Sequence, residues 1–398
     1  MFETLDSLPA DPILGLMKAF QADENPRRID LGVGVYKDDN GNTPVMRAVK
    51  QAEQHLFETQ DTKRYVGPTG SAGFNQRIAE LVLGPSLVKQ LGGRRVTVQT
   101  PGGCGGLRLA SEFIRRAAPQ ARVLVSDPTW ANHVPLLGDA GLRIETYPYY
   151  DKGSHNVRFD AMMDTLGQAG PGDVVLLHGS CHNPCGADLD KDQWQAVCDL
   201  ALQRGFLPFI DLAYQGLGDG LDEDTAGVRL LAENLPELVV VNSCSKNFGL
   251  YRERAGALTV IGQNAEQTAI SASQIASIAR GIWSMPPDHG AAIVETILAD
   301  DVLKQVWLEE LGQVRRRIND TRALLATALD EAGVNGDFRF ITREKGMFSF
   351  LGISKEEVRK LVDQYSIYLV DSSRINVAGI NSHNMDYLVQ SLKTVLTP

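Results

Sequence analysis

Lys246 is the residue of this chain best placed for covalent chemistry. It sits among Ser243, Ser245 and Gly249, with Arg254 further on, directly after the apolar run 238–241. Such a run reads as a buried strand, and a lysine just past a buried strand is placed to form a Schiff base with a carbonyl. The hydroxyls and the arginine suit a phosphate. Upstream, the apolar stretch 207–212 carries Asp211 near its end, with Tyr214 just beyond. A carboxylate there keeps a ring nitrogen protonated, and a cationic ring is an electron sink. A lone Ser-Lys pair reads as a solvated loop. The ordered pair of strand ends, acid first and amine second, turns the reading toward chemistry. An aldehyde that carries a phosphate and a basic ring nitrogen is pyridoxal 5'-phosphate.

Further groups stand at other strand ends. Gly102-Gly103-Cys104 falls at a strand-to-helix turn, where bare glycine amides suit an anion, although the spacing is not that of a dinucleotide fingerprint. Trp130 follows the next strand; it suits stacking on a flat ring, or a core or lid position. Asn183 offers an amide donor for a ring oxygen, and Asn183-Pro184 is a candidate cis bond. Cys181, His182, Cys185 and Cys198 do not follow a zinc spacing, so no metal is expected.

These groups need a scaffold. From about residue 47, strands and helices alternate: strands over 96–99, 123–125, 144–147, 174–177, the two just described, and 257–261, with helices such as 192–203 between most of them. A helix opening near Cys104 places Leu107, Ala110, Phe113 and Ile114 on one face. This alternation implies an α/β fold with a mostly parallel sheet covered by helices, and such sheets bind ligands beyond the carboxyl ends of their strands. After Pro286-Pro287 a long helix over 302–332 carries Trp307, Leu311, Val314, Ile318, Leu325 and Leu329 as an apolar stripe, and shorter elements close the chain. The expected organisation is an extended N-terminal arm over 1–15 with a short helix around 13–22, a large cofactor-binding domain over 47–313, and a smaller α/β domain built from 16–46 and 314–398.

The 398 residues suit two domains. Hydrophobic residues at 43% and charged residues at 22% give an ordinary globular balance. The net charge of −10 argues against nucleic acid, and Arg315-Arg316-Arg317, near Glu309 and Glu310, reads as a solvated helix face. The acidic start is no targeting signal, and no apolar run approaches the ~20 residues of a membrane helix. Five cysteines are a sparse, odd set that fits a reduced cytoplasm.

Six separated motifs carry a resemblance over nearly the whole chain: Gly32-Val33-Gly34-Val35-Tyr36-Lys37, Thr100-Pro101-Gly102-Gly103, His182-Asn183-Pro184, Asp211-Leu212-Ala213-Tyr214-Gln215-Gly216, Ser245-Lys246-Asn247-Phe248-Gly249-Leu250-Tyr251 and Gly346-Met347-Phe348-Ser349. The chain resembles the class I aminotransferases of the aspartate and aromatic amino acid branch, with pyridoxal-phosphate fold type I. The resemblance implies that Lys246 holds the cofactor and shuttles the proton. Asp211 would pair with the ring nitrogen, with His133 behind it. Tyr214 and Asn183 would bond the phenolic oxygen, and Trp130 would stack on the ring. Gly103, Cys104, Ser243 and Arg254 would hold the phosphate, joined by Tyr65 of a second subunit. Arg374 would clamp the substrate α-carboxylate, with Gly34 closing over it and Phe348, Ile13 and Leu14 in the lid. The family is homodimeric with shared sites, so Arg280 would cross to a substrate side-chain carboxylate. Amino acid and 2-oxo acid substrates and ping-pong kinetics are implied.

Arg64 and Met285 stand where the aspartate-specific pattern has asparagine, and Cys104 where it has threonine. With Trp283 nearby, these changes favour a pocket that also accepts apolar rings, as in bacterial aromatic-amino-acid aminotransferases. The expectation is transfer from Phe, Tyr and Trp, and also Asp, to 2-oxoglutarate. The alternatives are an aspartate aminotransferase with weak aromatic activity and a cofactor-binding sensor domain of a regulator, which would need a basic segment ahead of it. A nicotinamide dehydrogenase lacks its glycine fingerprint here. A pyridoxal lyase or decarboxylase is the nearest rival enzyme; Arg280 together with Arg374 favours transamination.

Overall fold

One seven-stranded sheet organises the larger of two units. The computed structural model describes residues 2–7 and 12–397, and its two units are Pro44–Arg316 and Met1–Thr43 with Arg317–Pro398. The strands are β1 (Arg95–Pro101), β2 (Arg122–Asp127), β3 (Arg143–Pro148), β4 (Val174–His178), β5 (Leu207–Leu212), β6 (Leu238–Ser243) and β7 (Ala255–Ile261), in the order β1-β7-β6-β5-β4-β2-β3. β7 alone runs against its neighbours, so the sheet is mostly parallel as expected. Every residue of β6 and β7 is buried, which is why both read as continuous apolar runs rather than alternations.

The reversed strand matters for chemistry. Gly256 of β7 pairs with Ser243 of β6 on one side and Thr100 of β1 on the other. Arg254, just ahead of β7, therefore emerges at the same edge as the carboxyl ends of β1, β5 and β6. Gly256 cannot carry a side chain: a Cβ there would lie 2.6 Å from the Gly102 carbonyl carbon and 2.7 Å from the Asn242 oxygen. The helix α1 (Gly102–Ala117) starts against this spot and buries Leu107, Ala110 and Ile114. Phe113 packs against the same core only partly buried.

The helix Lys191–Arg204 matches the predicted 192–203. Asp190 and Gln193 form a capping box at its start, and Gly205 ends it at φ +76. The long helix Asp301–Glu331 buries its whole predicted stripe, from Trp307 to Leu329. Trp307 stacks on Phe248 at 4.4 Å, and its Nε1 donates to the Asn247 oxygen at 2.8 Å. This pins the residues directly after Lys246; burying two such rings contributes about 1.5–3 kcal/mol each.

In the other unit, Ile29–Asp30 pairs with Ile367–Tyr368 in parallel, and β8 (Phe348–Phe350) with β9 (Arg374–Asn376) antiparallel. Leu31, Leu325, Leu329, Ile341, Leu361, Ile375 and Leu392 form its core. A helix spans Pro12–Ala22. The expected extended arm over 1–15 therefore runs into helix before its end; residues 8–11 of it lie outside the described residues. Among the described residues no helix is long and apolar enough to cross a membrane.

Candidate active site

Lys246 stands just past β6, partly exposed. Its Nζ lies 4.9 Å from the centre of the Tyr214 ring. Burial pushes its amine below the ordinary lysine range; Asp211 pulls upward, Arg254 adds to the lowering, and the net direction is down. A less basic amine exchanges protons more readily near neutral pH.

Asp211 sits on β5 opposite His178 of β4 and is 7% exposed. Its Oδ2 is 2.9 Å from His133 Nε2. The far nitrogen of His133 is 2.8 Å from Thr129 Oγ1, which in turn lies 3.3 Å from His178 Nε2. Burial works to raise the Asp211 carboxyl. The hydrogen bond and charge of His133, with Lys246 adding to them, outweigh it, and the carboxyl is held below its usual range. A buried acid kept ionised in this way is what a ring-nitrogen cation needs. Burial, and then His133, lower His178 to about 3, so its imidazole is neutral. Trp130 packs partly buried against the core and meets His133 edge-on at 5.3 Å.

At the same edge, the N-terminus of α1, Ser243, Ser245 and Arg254 form a cradle. A Cβ on Gly102, which has φ +69, would lie 2.6 Å from Arg254 Nη2, and one on Gly103 3.1 Å from Ser243 Cβ. Arg254 Nη1 donates to Ser245 Oγ at 3.4 Å and to the Tyr251 oxygen at 2.9 Å. Backbone amides at the start of a 16-residue helix, two hydroxyls and a guanidinium suit a phosphate. Cys104 lies in the first turn of α1, with Asn132 Nδ2 3.7 Å from its sulfur. Burial pushes its thiol up, so it offers a weak S–H donor, not a thiolate. Asn183 is 7% exposed, and its bond to Pro184 is cis. The described residues include no cluster of three or more His, Cys, Asp or Glu side chains suited to a metal ion.

In the smaller unit, Arg374 is 5% exposed. Its Nη2 donates to the Gly32 oxygen at 2.6 Å, and its guanidinium carbon lies 4.3 Å from the centre of the Phe348 ring. Asn376 Nδ2 donates to the oxygens of Val33 and Val35 at 2.7 and 2.8 Å. A Cβ on Gly34 would lie 2.8 Å from Phe348 Cζ, so only glycine fits there. Arg374, Phe348 and Gly34 thus come together. Behind them the buried Arg322 donates to the oxygens of Ile341, Gly346 and Phe348, which fixes β8. Leu14, in the first turn of the Pro12–Ala22 helix, is 57% exposed.

Tyr65 and Arg280 stand apart on the surface: Tyr65 is 90% exposed, and the exposed Arg280 donates to Ser284 Oγ. Met285 Sδ accepts the Val66 N–H at 3.1 Å, close to Tyr65 in the chain. Sequence reasoning passed over Thr129 and His178 as site residues, and offered Ser245 only as one of the hydroxyls suited to a phosphate. Ser245 had a signal, being two residues from Ser243 in the same hydroxyl-rich turn. Thr129 stands four residues before His133, a local spacing that could have marked it; His178 had no signal, because only sheet register brings it beside Asp211.

A family model, "Aminotransferase class I and II", matches residues 26–392. An aromatic-amino-acid aminotransferase of Pseudomonas aeruginosa is 48% identical over 394 residues, covering 99% of this chain and 98% of the relative. An aspartate aminotransferase of Escherichia coli is 46% identical over 396 residues, covering 100% of both. The crystal structure of an aromatic-amino-acid aminotransferase from Burkholderia pseudomallei, covalently bound to pyridoxal phosphate, superposes with a TM-score of 0.97 at 40% identity and full coverage of both chains. With this sheet edge and these motifs, the chain belongs to the class I and II aminotransferases.

Proposed function

We propose that this protein transfers the amino group of aromatic amino acids, and of aspartate as a second donor, to 2-oxoglutarate with pyridoxal 5'-phosphate. The reading is carried by one sheet edge that joins an anion cradle, an ionised buried acid and a lysine of lowered basicity. That donor set fits the cofactor. Gly103, Cys104, Ser243, Ser245 and Arg254 would hold the phosphate, Asp211 the ring nitrogen, Tyr214 and Asn183 the ring oxygen, and Lys246 the aldehyde carbon. Bound there, the protonated ring draws electrons from the substrate Cα, so the Cα proton becomes acidic.

The chain's own groups do the rest. His133 keeps Asp211 ionised. Lys246, as a free amine of lowered basicity, would take the proton from Cα. Arg374 takes the substrate α-carboxylate through its planar fork, with Phe348 and Gly34 shaping that end. The unit Pro44–Arg316 acts as the cofactor domain and the other as the carboxylate-binding domain. Two copies share their sites: the exposed Tyr65 and Arg280 of one reach the phosphate and the substrate side chain of its partner. The five cysteines form no disulfide, which suits a reduced cytoplasm.

Purified protein should be yellow, and Lys246→Ala should abolish transamination; retained turnover would contradict the assignment. Comparing kcat/KM for phenylalanine, tyrosine and aspartate with 2-oxoglutarate tests the substrate. The second reading, an aspartate aminotransferase with weak aromatic activity, draws on Arg280 and on the Escherichia coli relative. A more than roughly tenfold preference for aspartate, about 1.4 kcal/mol in the transition state, would favour it.

A further inference from the structure

Two carboxylates outside the cofactor contacts grip the loops that carry Asn183 and Tyr214. Asp224 is 6% exposed. Its Oδ2 accepts the backbone N–H groups of Gly216 and Gly218 at 2.8 and 2.9 Å, and its Oδ1 those of Asp219 and Gly220 at 2.8 and 3.4 Å. Between the first two donors, the Leu217 N–H donates to the Tyr214 oxygen at 3.0 Å. The turn is closed from outside as well: Arg315 Nη1 donates to the Gly216 oxygen at 3.1 Å. A Cβ on Gly216, at φ +92, would lie 2.7 Å from Leu311 Cδ2. The backbone leaving Tyr214 therefore has one available path.

Asp188 does the same for the other loop. Its Oδ2 accepts the Cys181 N–H at 2.7 Å and its Oδ1 the His182 N–H at 2.8 Å, immediately ahead of Asn183. Cys181 is held at φ +52, a conformation a non-glycine residue keeps only when its surroundings enforce it. The two loops meet where Cys181 Sγ lies 4.0 Å from the Tyr214 oxygen.

We propose that Asp224 and Asp188 are positioning residues, each fixing through backbone N–H groups the loop that aims one donor, Tyr214 or Asn183, at the ring oxygen of the bound cofactor. The proposal rests on the roles given to Tyr214 and Asn183 above. A hydrogen bond donated to that oxygen favours its anionic form, and a shift of a few tenths of an ångström weakens the bond. The pH midpoint of the bound cofactor's visible absorbance then reports how well the donors are aimed. An asparagine in place of either aspartate turns an acceptor oxygen into an amide that faces backbone N–H groups, so the loop must move.

The experiment compares wild type, Asp224→Asn and Asp188→Asn, each also in a Tyr214→Phe or Asn183→Ala background. Asp224→Asn should raise the absorbance midpoint by about one pH unit and Asp188→Asn by roughly half as much. The Asp224→Asn shift should vanish when Tyr214 is already phenylalanine, and the Asp188→Asn shift when Asn183 is already alanine, because groups acting through one another do not add. In cofactor-free Asp224→Asn protein, amide exchange over 216–220 should rise about tenfold or more. A midpoint that stays at the wild-type value while exchange rises, or a shift that persists undiminished in the double variants, would overturn the proposal. If Asp224→Asn does not fold, the Asp188→Asn series carries the same test. A wild type with no pH-dependent visible band would sink the cofactor reading itself rather than the loop clamps.

Discussion

Asp211 in the larger unit and Arg374 in the smaller are buried charges of opposite sign, and each is supported by different means. Asp211 is held by an imidazole, which leads through Thr129 to a second imidazole. Arg374 is held by a backbone oxygen and an aromatic face. The acid is thus tied to ring nitrogens that can carry a proton, and the base to a carbonyl oxygen and a ring face that cannot. The comparison teaches that protonation should govern the cofactor half of the chemistry, while geometry should govern substrate capture.

The strongest test of that division is Asp211→Ala, which removes the proposed partner of the ring nitrogen. We expect kcat to fall on the order of 10³-fold, measured under saturating substrate, with KM little changed. An effect confined to KM would break the comparison. Arg374→Lys probes the other half, because lysine lacks the planar fork. KM for the amino acid should rise roughly 10–100-fold and kcat much less, the cost of a charge-assisted pair.

A third test uses protons alone. His178 is lowered from 6.5 to about 3 in the folded chain, so between those values the unfolded chain binds more protons than the folded one. Its contribution to stability is complete above pH 6.5 and is lost as pH falls toward about 3. Urea unfolding of the cofactor-free protein across this window should show a slope of at most about 1.4 kcal/mol per pH unit from this group. His178→Asn should flatten that slope; an unchanged slope would show that the imidazole is not held neutral. The smallest effect is expected at the cradle. Cys104→Ser replaces a weak donor with a hydroxyl and should slow loss of pyridoxal phosphate by a few-fold, about 0.5–1.5 kcal/mol in affinity. Faster loss would mean that the thiol is not the weak point.

Legibility followed range. The sheet strands were readable because buried strands appear as apolar runs, and the long helix because its stripe from Trp307 to Leu329 repeats at the helical period. Lys246, Asp211 and Asn183 were readable because each sits just at or beyond a strand end. The Pro12–Ala22 helix matches the short helix read around 13–22 and starts one residue before it. Pro12 cannot donate a backbone hydrogen bond, and at the first turn of a helix none is needed. The Thr129–His178 link and the Arg322 hub left no local mark, since each joins groups that only folding brings near; the Asp224 clamp closes within one short loop but no residue pattern announces it.

By itself the sequence determined which groups are available and in what order strands deliver them, because strand periodicity and loop chemistry are local properties of the chain. Only the tertiary structure decided which imidazole reaches Asp211, that reversal of β7 returns Arg254 to the edge shared by Ser243 and Gly102, and that Gly34 must stay bare beneath Phe348. Those outcomes depend on register and on contacts between distant segments, where a shift of a single residue would turn each side chain to the opposite face.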